Sequence, residues 1–394
     1  EKKSSPKEEA MKRENSAQNH FHGSAQNHFH GSAQNHFHGS DLEIIEKVYG
    51  IKKENIVSFA DNVNPLGISP KLKETLSDRI EAIMTYPERE YTSLRNAIAK
   101  YTAANIEDII VGNGATELIS LFIQIKNPKG ALIIGPTYSE YEREIFLGGG
   151  SCHYYRLKEE NDFRLDIKDL EKELKDNIGL LVICNPNNPT SSAITRTDMV
   201  KILDICKQKD IFVMVDETYV EFTEDFQEIT SISLAKSYNN IIILRGISKF
   251  FAAPGLRLGY AICSNSDLLN EINKRKNPWT INSLAAIAGE IMFTDTEYIE
   301  KTKQLISKER ERVCKILLSC PNIKTFTPTA NFVLLKILKE DVTSKDLFEK
   351  AISKGYMIRD CSTFPFLDSK FVRFCFKAPK HNDALLEILL GSLI

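Results

Sequence analysis

Lys249 lies in the segment Arg245-Gly-Ile-Ser-Lys-Phe-Phe-Ala-Ala-Pro-Gly-Leu-Arg-Leu-Gly259, which follows one apolar run and ends on another. A lysine held just past a strand end can be desolvated, lose its proton and attack a carbonyl, which makes Lys249 the Schiff-base candidate. Asp216, in Val213-Met-Val-Asp-Glu-Thr-Tyr219, closes a second apolar run. A carboxylate there is costly without a cation. A protonated pyridine nitrogen would supply one, and the ion pair would keep that ring an electron sink. Asn188, in Asn185-Pro-Asn-Asn-Pro-Thr190, follows a third run, where prolines fix the loop and the amide can be offered to a ring oxygen. Each motif alone has an ordinary reading, as a surface lysine, a helix N-cap or a turn. Their shared position at strand ends favours the chemical one.

Gly112-Asn-Gly-Ala-Thr-Glu117 stands between an apolar run and a helical pattern, so its amides form a phosphate cradle at a helix start. The position of a third glycine is taken by Glu117, and no acidic ribose ligand follows at the expected offset, which argues against a dinucleotide site. Tyr138, in Gly-Pro-Thr-Tyr-Ser-Glu, follows another apolar run and can either stack on a flat cofactor or pack in the core.

From Asp41 onward, short apolar runs alternate with amphipathic stretches, which predicts a parallel sheet covered by helices. The expected strands are Asp108 to Val111, Ala131 to Ile134, Leu180 to Cys184, Ile211 to Val215, Ile241 to Arg245 and Leu258 to Cys263. Helical patterns fall at Glu117 to Ile125 and Thr197 to Gln208. Near the end come a long charged helix, Tyr298 to Ser319, and short strands around Phe332 to Ile337 and Phe371 to Phe376. The expected organisation is a large domain of residues 76–290 and a small α+β domain of residues 41–75 and 291–394.

Residues 1–40 differ in composition, being charged first and then built from three tandem copies of Ser-Ala-Gln-Asn-His-Phe-His-Gly starting at Ser16. Such a segment is expected to be a mobile linker. Six of the eight histidines lie in these copies, yet no Cys or carboxylate completes a ligand set, so no metal is expected. The first residue is not Met, and two expectations follow for the charged stretch Glu1 to Asn15: a linker exposed by cutting a longer chain, or a start left by processing.

The chain has 394 residues, 42% hydrophobic and 26% charged, and its formal net charge is −2. Without a basic field a nucleic-acid partner is not expected, and no apolar run reaches the roughly 18 residues of a membrane helix. Eight cysteines without a CxxC pair read as reduced core thiols of a cytoplasmic protein.

Taken in order, NPNNPT, DETY, SKFFAAPGLRLG and a late arginine resemble the fold-type I pyridoxal-phosphate enzymes of the class I/II aminotransferase superfamily. The resemblance covers about residues 38–394. It implies an α/β fold with a large mixed or parallel sheet domain and a small α+β domain. It also implies pyridoxal 5'-phosphate as cofactor, an amino donor and a keto acid as substrates, and a homodimer. It assigns Lys249 to the covalent cofactor link, Asp216 to the pyridine nitrogen, and Asn188 and Tyr219 to the ring oxygen. Gly114, Ala115, Thr116, Ser248 and Arg257 match the cofactor-phosphate site, Tyr138 the ring-stacking aromatic, and Tyr86 a tyrosine that reaches the neighbouring subunit's phosphate. Gly246 departs from the family's usual Ser or Thr.

Within the superfamily the sequence is similar to histidinol-phosphate aminotransferases and, more specifically, threonine-phosphate decarboxylases. The latter carry a His-Gly motif, an Asn-Pro-Leu-Gly turn and an Ile-Arg-Asp-Cys-Ser segment with a second Arg beyond it. Here these are His38-Gly39, Asn64 to Gly67, and Arg359 with Arg373. The resemblance places His38, Asn64, Arg359 and Arg373 at the substrate. Two guanidiniums suit a substrate with two anionic ends. The start of the chain is also similar to phosphonate-pathway fusions, which implies an upstream nucleotidyltransferase domain. The expected activity is transamination of a small amino compound bearing a phosphate or phosphonate, with decarboxylation of a phosphoamino acid as the alternative.

Overall fold

Runs of Ile, Val and Leu bounded by turn residues form strands that are buried on both faces, the pattern of a sheet sandwiched between helices. The computed structural model describes residues 37–393; the expectations for the first two octads and for His36 lie outside the described residues. In chain order the strands begin with β1 (Val57–Ser58), β2 (Ile109–Gly112), β3 (Gly130–Gly135), β4 (Ser151–Arg156), β5 (Leu180–Cys184), β6 (Phe212–Asp216) and β7 (Ile241–Gly246). They continue with β8 (Gly259–Ile262), β9 (Ile323–Thr325), β10 (Phe332–Ile337), β11 (Tyr356–Met357), β12 (Arg359–Asp360) and β13 (Phe371–Cys375).

The large sheet has seven strands in the order β2-β8-β7-β6-β5-β3-β4. Strands β3 to β7 run parallel, but β8 is antiparallel to both β7 and β2. The sheet, read as parallel from the alternating pattern and as mixed or parallel from the resemblance, is mixed. Between β7 and β8 lies only the short turn of 3₁₀ helix Pro254–Leu256, not the crossover helix that a parallel return requires. Strand β4 has no counterpart among the expected strands; it is the sheet edge, where Ser151 and His153 face solvent.

Helix Ala115–Lys126 buries Leu118, Ile119, Phe122 and Ile123 on the sheet, in a core with Ile133, Val182, Met214, Leu244 and Ala261. Helix Arg196–Gln208 starts where the Thr195 hydroxyl accepts the Asp198 amide, and it buries Met199, Ile202, Leu203 and Cys206. A four-stranded antiparallel sheet, β12-β13-β10-β9, is built from the last part of the chain. Strand β1 pairs in parallel with β11, Val57 opposite Tyr356, so residues just after position 58 are brought beside that sheet.

Register aligns Cys184 with Asp216 and Asp216 with Leu244. The loops after β5, β6 and β7 therefore leave the sheet at one edge, the usual ligand edge of an α/β sheet. Just beneath that edge, Arg245 (1% exposed) donates to Glu217 (0% exposed) at 2.9 Å and lies 3.6 Å from Glu221. This buried pair ties the residue after Asp216 to the strand that leads to Lys249. Burial, outweighing the attraction of Arg245, lifts the Glu221 carboxyl to about 7. Removing the cation strands two carboxylates in the core, so Arg245→Met should destabilise the protein by about 3 to 5 kcal/mol in urea unfolding; a loss under about 1 kcal/mol would mean that the pair holds nothing.

Candidate active site

Lys249 reaches from the β7–β8 connection to the N-terminal segment, where its Nζ donates to the Asp61 carbonyl at 2.6 Å. Burial, opposed by Asp61 and helped by Arg373 and Lys377, lowers its amine to about 8. A useful fraction is thus neutral and nucleophilic near pH 7. The backbone of the same residue is also held, since its carbonyl accepts the Asn64 amide at 3.0 Å.

Asp216 is 5% exposed at the end of β6. Its Oδ2 accepts from the Tyr141 hydroxyl at 2.6 Å, and its Oδ1 accepts from the Thr218 amide at 3.0 Å and hydroxyl at 2.5 Å. All three donors are neutral, and among the described residues no cation lies within ion-pair distance of this carboxylate. The site suits a cationic ring nitrogen. Tyr138 stands edge-on to Tyr141, ring centroids 5.6 Å apart at 83°, which sets it at the same pocket wall.

The start of helix Ala115–Lys126 has no side-chain cap, leaving its first amides to a ligand. Gly114 has φ +83°, and a Cβ there would stand 2.4 Å from Nη2 of Arg257. On the other side, a Cβ on Gly259 would strike the Ala115 nitrogen at 2.4 Å. A guanidinium laid on a helix N-terminus opposes the helix dipole unless an anion lies between them, as a phosphate would. Ser248 is half-buried beside Gly246, whose added Cβ would meet only the Ala115 Cβ at 3.6 Å and the Ser248 Oγ at 3.7 Å. Thr116 is exposed on the first helical turn.

Arg359 and Arg373 are direct cross-strand partners in β12 and β13, 5% and 4% exposed. Like charges placed opposite one another repel. Arg359 donates to the Thr363 hydroxyl at 3.0 Å and lies over the Phe364 ring. Arg373 donates to the Asn188 Oδ1 and, at 2.6 Å, to the Ala60 carbonyl, while its buried Nε has no partner. Asn188 thereby keeps its amide NH₂ as the donor. Tyr219, 6% exposed, accepts from Asn62 Nδ2 at 3.2 Å; burial raises its hydroxyl pKa above the ordinary tyrosine range.

One expected residue, Asn64, is committed elsewhere; Tyr86 and His38 are both exposed. Asn64, expected at the substrate, instead donates to the Phe250 carbonyl, the Tyr298 hydroxyl and the Thr302 hydroxyl at 2.7, 3.0 and 2.8 Å, pinning its loop to helix Thr296–Leu318. Its amide is consumed by that buried network. Tyr86 is 79% exposed and tilts against Trp279, ring centroids 4.9 Å apart. His38 is exposed in a turn closed by its amide on Asp41 Oδ2 at 2.7 Å, while the adjacent Gly39 lies so close to Ala60 that a Cβ would stand 2.4 Å from its carbonyl oxygen. Asp61, Asn62, Tyr141, Thr218, Asn331 and Lys377 were not expected at the site. They arrive through contacts such as Asn331 Nδ2 to the Asn62 carbonyl at 2.8 Å, which no local motif announces.

The family model described as "Aminotransferase class I and II" matches residues 54–393. The chain belongs to that family. It is 32% identical over 346 residues to the threonine-phosphate decarboxylase of Salmonella typhimurium, covering 88% of this chain and 93% of the relative. It is 31% identical over 353 residues to the histidinol-phosphate aminotransferase of Methanosphaera stadtmanae, covering 89% and 94%. The crystal structure of the histidinol-phosphate aminotransferase from Clostridium acetobutylicum superposes with a TM-score of 0.79 at 34% identity, covering 85% of this chain and 98% of that one.

Enzymes of the class I and II aminotransferase family use pyridoxal phosphate, and the residues here fit it. An unpaired buried carboxylate suits its nitrogen, the uncapped helix start with Arg257 suits its phosphate, and a lysine of lowered basicity suits its aldehyde. Lys249→Ala should abolish both turnover and the protein-linked cofactor absorbance, read by spectrophotometry of the purified variant. Full activity in that variant would remove the assignment.

Proposed function

We propose that the protein is an aminotransferase for a small amino compound carrying a phosphate or phosphonate group, such as 2-aminoethylphosphonate or a phosphorylated amino acid, with a keto acid as acceptor. The observation that carries this reading is the buried pair Arg359 and Arg373 in direct register. One such guanidinium binds a carboxylate bidentately; two facing one another suit a second anion. Arg373, fixed by Asn188 and Ala60, serves the α-carboxylate of an amino-acid substrate and Arg359 the phosphoryl end. Because 2-aminoethylphosphonate has no carboxylate, it would use one arginine and leave both to the amino-acid half-reaction.

The cofactor, when bound, supplies an electron sink for the pair left at the substrate Cα. Lys249 Nζ would take the proton from the substrate Cα as base and give it up as acid to the cofactor carbon, not back to Cα. Asp216, oriented by Tyr141 and Thr218, keeps a negative charge against the ring nitrogen. Tyr219 and Asn188 would hold the ring oxygen by donating to it.

Decarboxylation is the second reading, favoured by the similarity to the Salmonella decarboxylase. The two differ in which Cα bond is broken. Incubation with threonine phosphate, histidinol phosphate and 2-aminoethylphosphonate in turn separates them, by release of carbon dioxide or by amino transfer to a keto acid.

We also infer a homodimer. Tyr86, Met84 and Ile83 are 79%, 81% and 64% exposed on one short stretch, an outward apolar surface that a second copy would cover, placing Tyr86 at the other site. The eight cysteines, free among the described residues, support a reducing, cytoplasmic setting.

Arg359→Gln should erase the preference for phosphoryl-bearing over plain substrates, and Arg373→Gln should weaken every carboxylated substrate. Each loss in kcat/KM should be about one and a half to four powers of ten, the equivalent of 2 to 5 kcal/mol. Changes of a few-fold in both would place the arginines outside the substrate site. Sedimentation at assay concentration should give a dimer; an active monomer would dismiss the composite site.

A further inference from the structure

The segment Ala60 to Asn64 holds the site from the opposite side to the large sheet, one residue after another. The carbonyl of Ala60 accepts Arg373, that of Asp61 accepts Lys249, and that of Asn62 accepts Asn331. The side chain of Asn62, at φ +57°, reaches Tyr219, and the amide of Asn64 holds the Lys249 backbone. Something must in turn fix this segment. Lys377, 9% exposed just past β13, donates to Asp61 Oδ1 and to the Val63 carbonyl, both at 3.0 Å. The same carboxylate oxygen accepts the Val63 amide at 3.0 Å. Lys377 is itself clamped, its amide and carbonyl both bonded to the buried side chain of Asn382.

We propose that Asp61 and Lys377 are a positioning pair for Lys249, holding the Asp61 carbonyl against its Nζ and setting the balance of charge that this amine faces. The inference rests on the reading of Lys249 as the reactive amine. Asp61 is gripped at both ends, by Lys377 on its carboxylate and by Lys249 on its carbonyl, so the two lysines are joined through a single residue. The groups facing Lys249 are Asp61 from the N-terminal segment and Arg373, Cys375 and Lys377 from β13 and its continuation. Asp61 favours the charged amine and Lys377 disfavours it. Removing the Lys377 charge also releases the Asp61 carboxylate from its partner, so both consequences push the amine the same way. Removing the Asp61 charge pushes it the other way.

A residue that merely supports the fold would not produce opposite signs. The test is competitive acetylation of the full chain stripped of its cofactor, so that Lys249 is a free amine, with the rate at Lys249 followed against pH by peptide mass spectrometry, a measurement that needs no turnover. Lys377→Gln should move the Lys249 titration up by roughly one pH unit, a tenfold change in neutral amine at fixed pH. Asp61→Asn should move it down, and Lys377→Arg should stay near the parent chain. Shifts in the same direction, or none from either charge removal, would overturn the proposal. If Lys377→Gln does not fold, Asp61→Asn decides alone, a downward shift supporting the pair and an unmoved titration dismissing it. Should the shifts appear while Lys249→Ala retains turnover, the reading of Lys249 fails and the pairing stands.

Discussion

Arg373 is the joint on which the site depends. Its strand belongs to the four-stranded sheet, one arm of its guanidinium bonds Asn188 on the loop after β5, and the other bonds Ala60 near the start of the described chain. Three stretches of polypeptide far apart in sequence are thus locked by one side chain. A planar, permanently charged group suits this work because it donates in fixed directions and cannot escape its charge by losing a proton. The same group lies opposite Arg359, so the charge that joins the structure also makes it receptive to anions.

The division of charge follows from the sheets. On the large sheet the Arg257 guanidinium lies against the helix start beside Gly114, and on the small sheet Arg359 stands opposite Arg373. Between them lie Asp216 and Lys249 at neighbouring strand ends. The Arg245–Glu217 pair sits beneath, inside the core, where it uses up the charge of Arg245 and keeps that cation from competing. Burial gives each of these interactions a strength that water would remove.

Much of the large sheet was legible because strands buried on both faces must be continuous apolar runs. Leu180 to Cys184 and Phe332 to Ile337 are observed where they were expected. Strand β4 was not legible, since Ser-Cys-His-Tyr-Tyr-Arg at an exposed edge has no such run. The direction of β8 was readable in principle from the helix-free connection before it, but hydrophobic pattern carries no sign of direction. At the site, Lys249, Asp216, Asn188 and Tyr219 stand in local motifs. Asp61, Asn62 and Lys377 do not, because their roles come from contacts across 157 to 316 positions. Asn64 misled for the complementary reason: its turn motif fixed the backbone, but the destination of its amide was set by Tyr298 and Thr302 on a distant helix.

The bond from Arg373 to Ala60 spans 313 positions. Closing so long a loop costs little more free energy than closing a much shorter one, because the entropy grows only with the logarithm of length. Time is another matter. Ala60 leaves the ribosome long before Arg373 is made, and at about 5 to 20 residues per second the wait is roughly a quarter of a minute to a minute. Throughout that interval the large-sheet strands can pair while residues 60–64 keep unmet backbone groups. Their partner for β1 is equally late, since β11 begins at Tyr356. The nascent chain therefore spends its synthesis with an assembled sheet and an unclaimed N-terminal segment, and becomes an enzyme only when its last strand arrives.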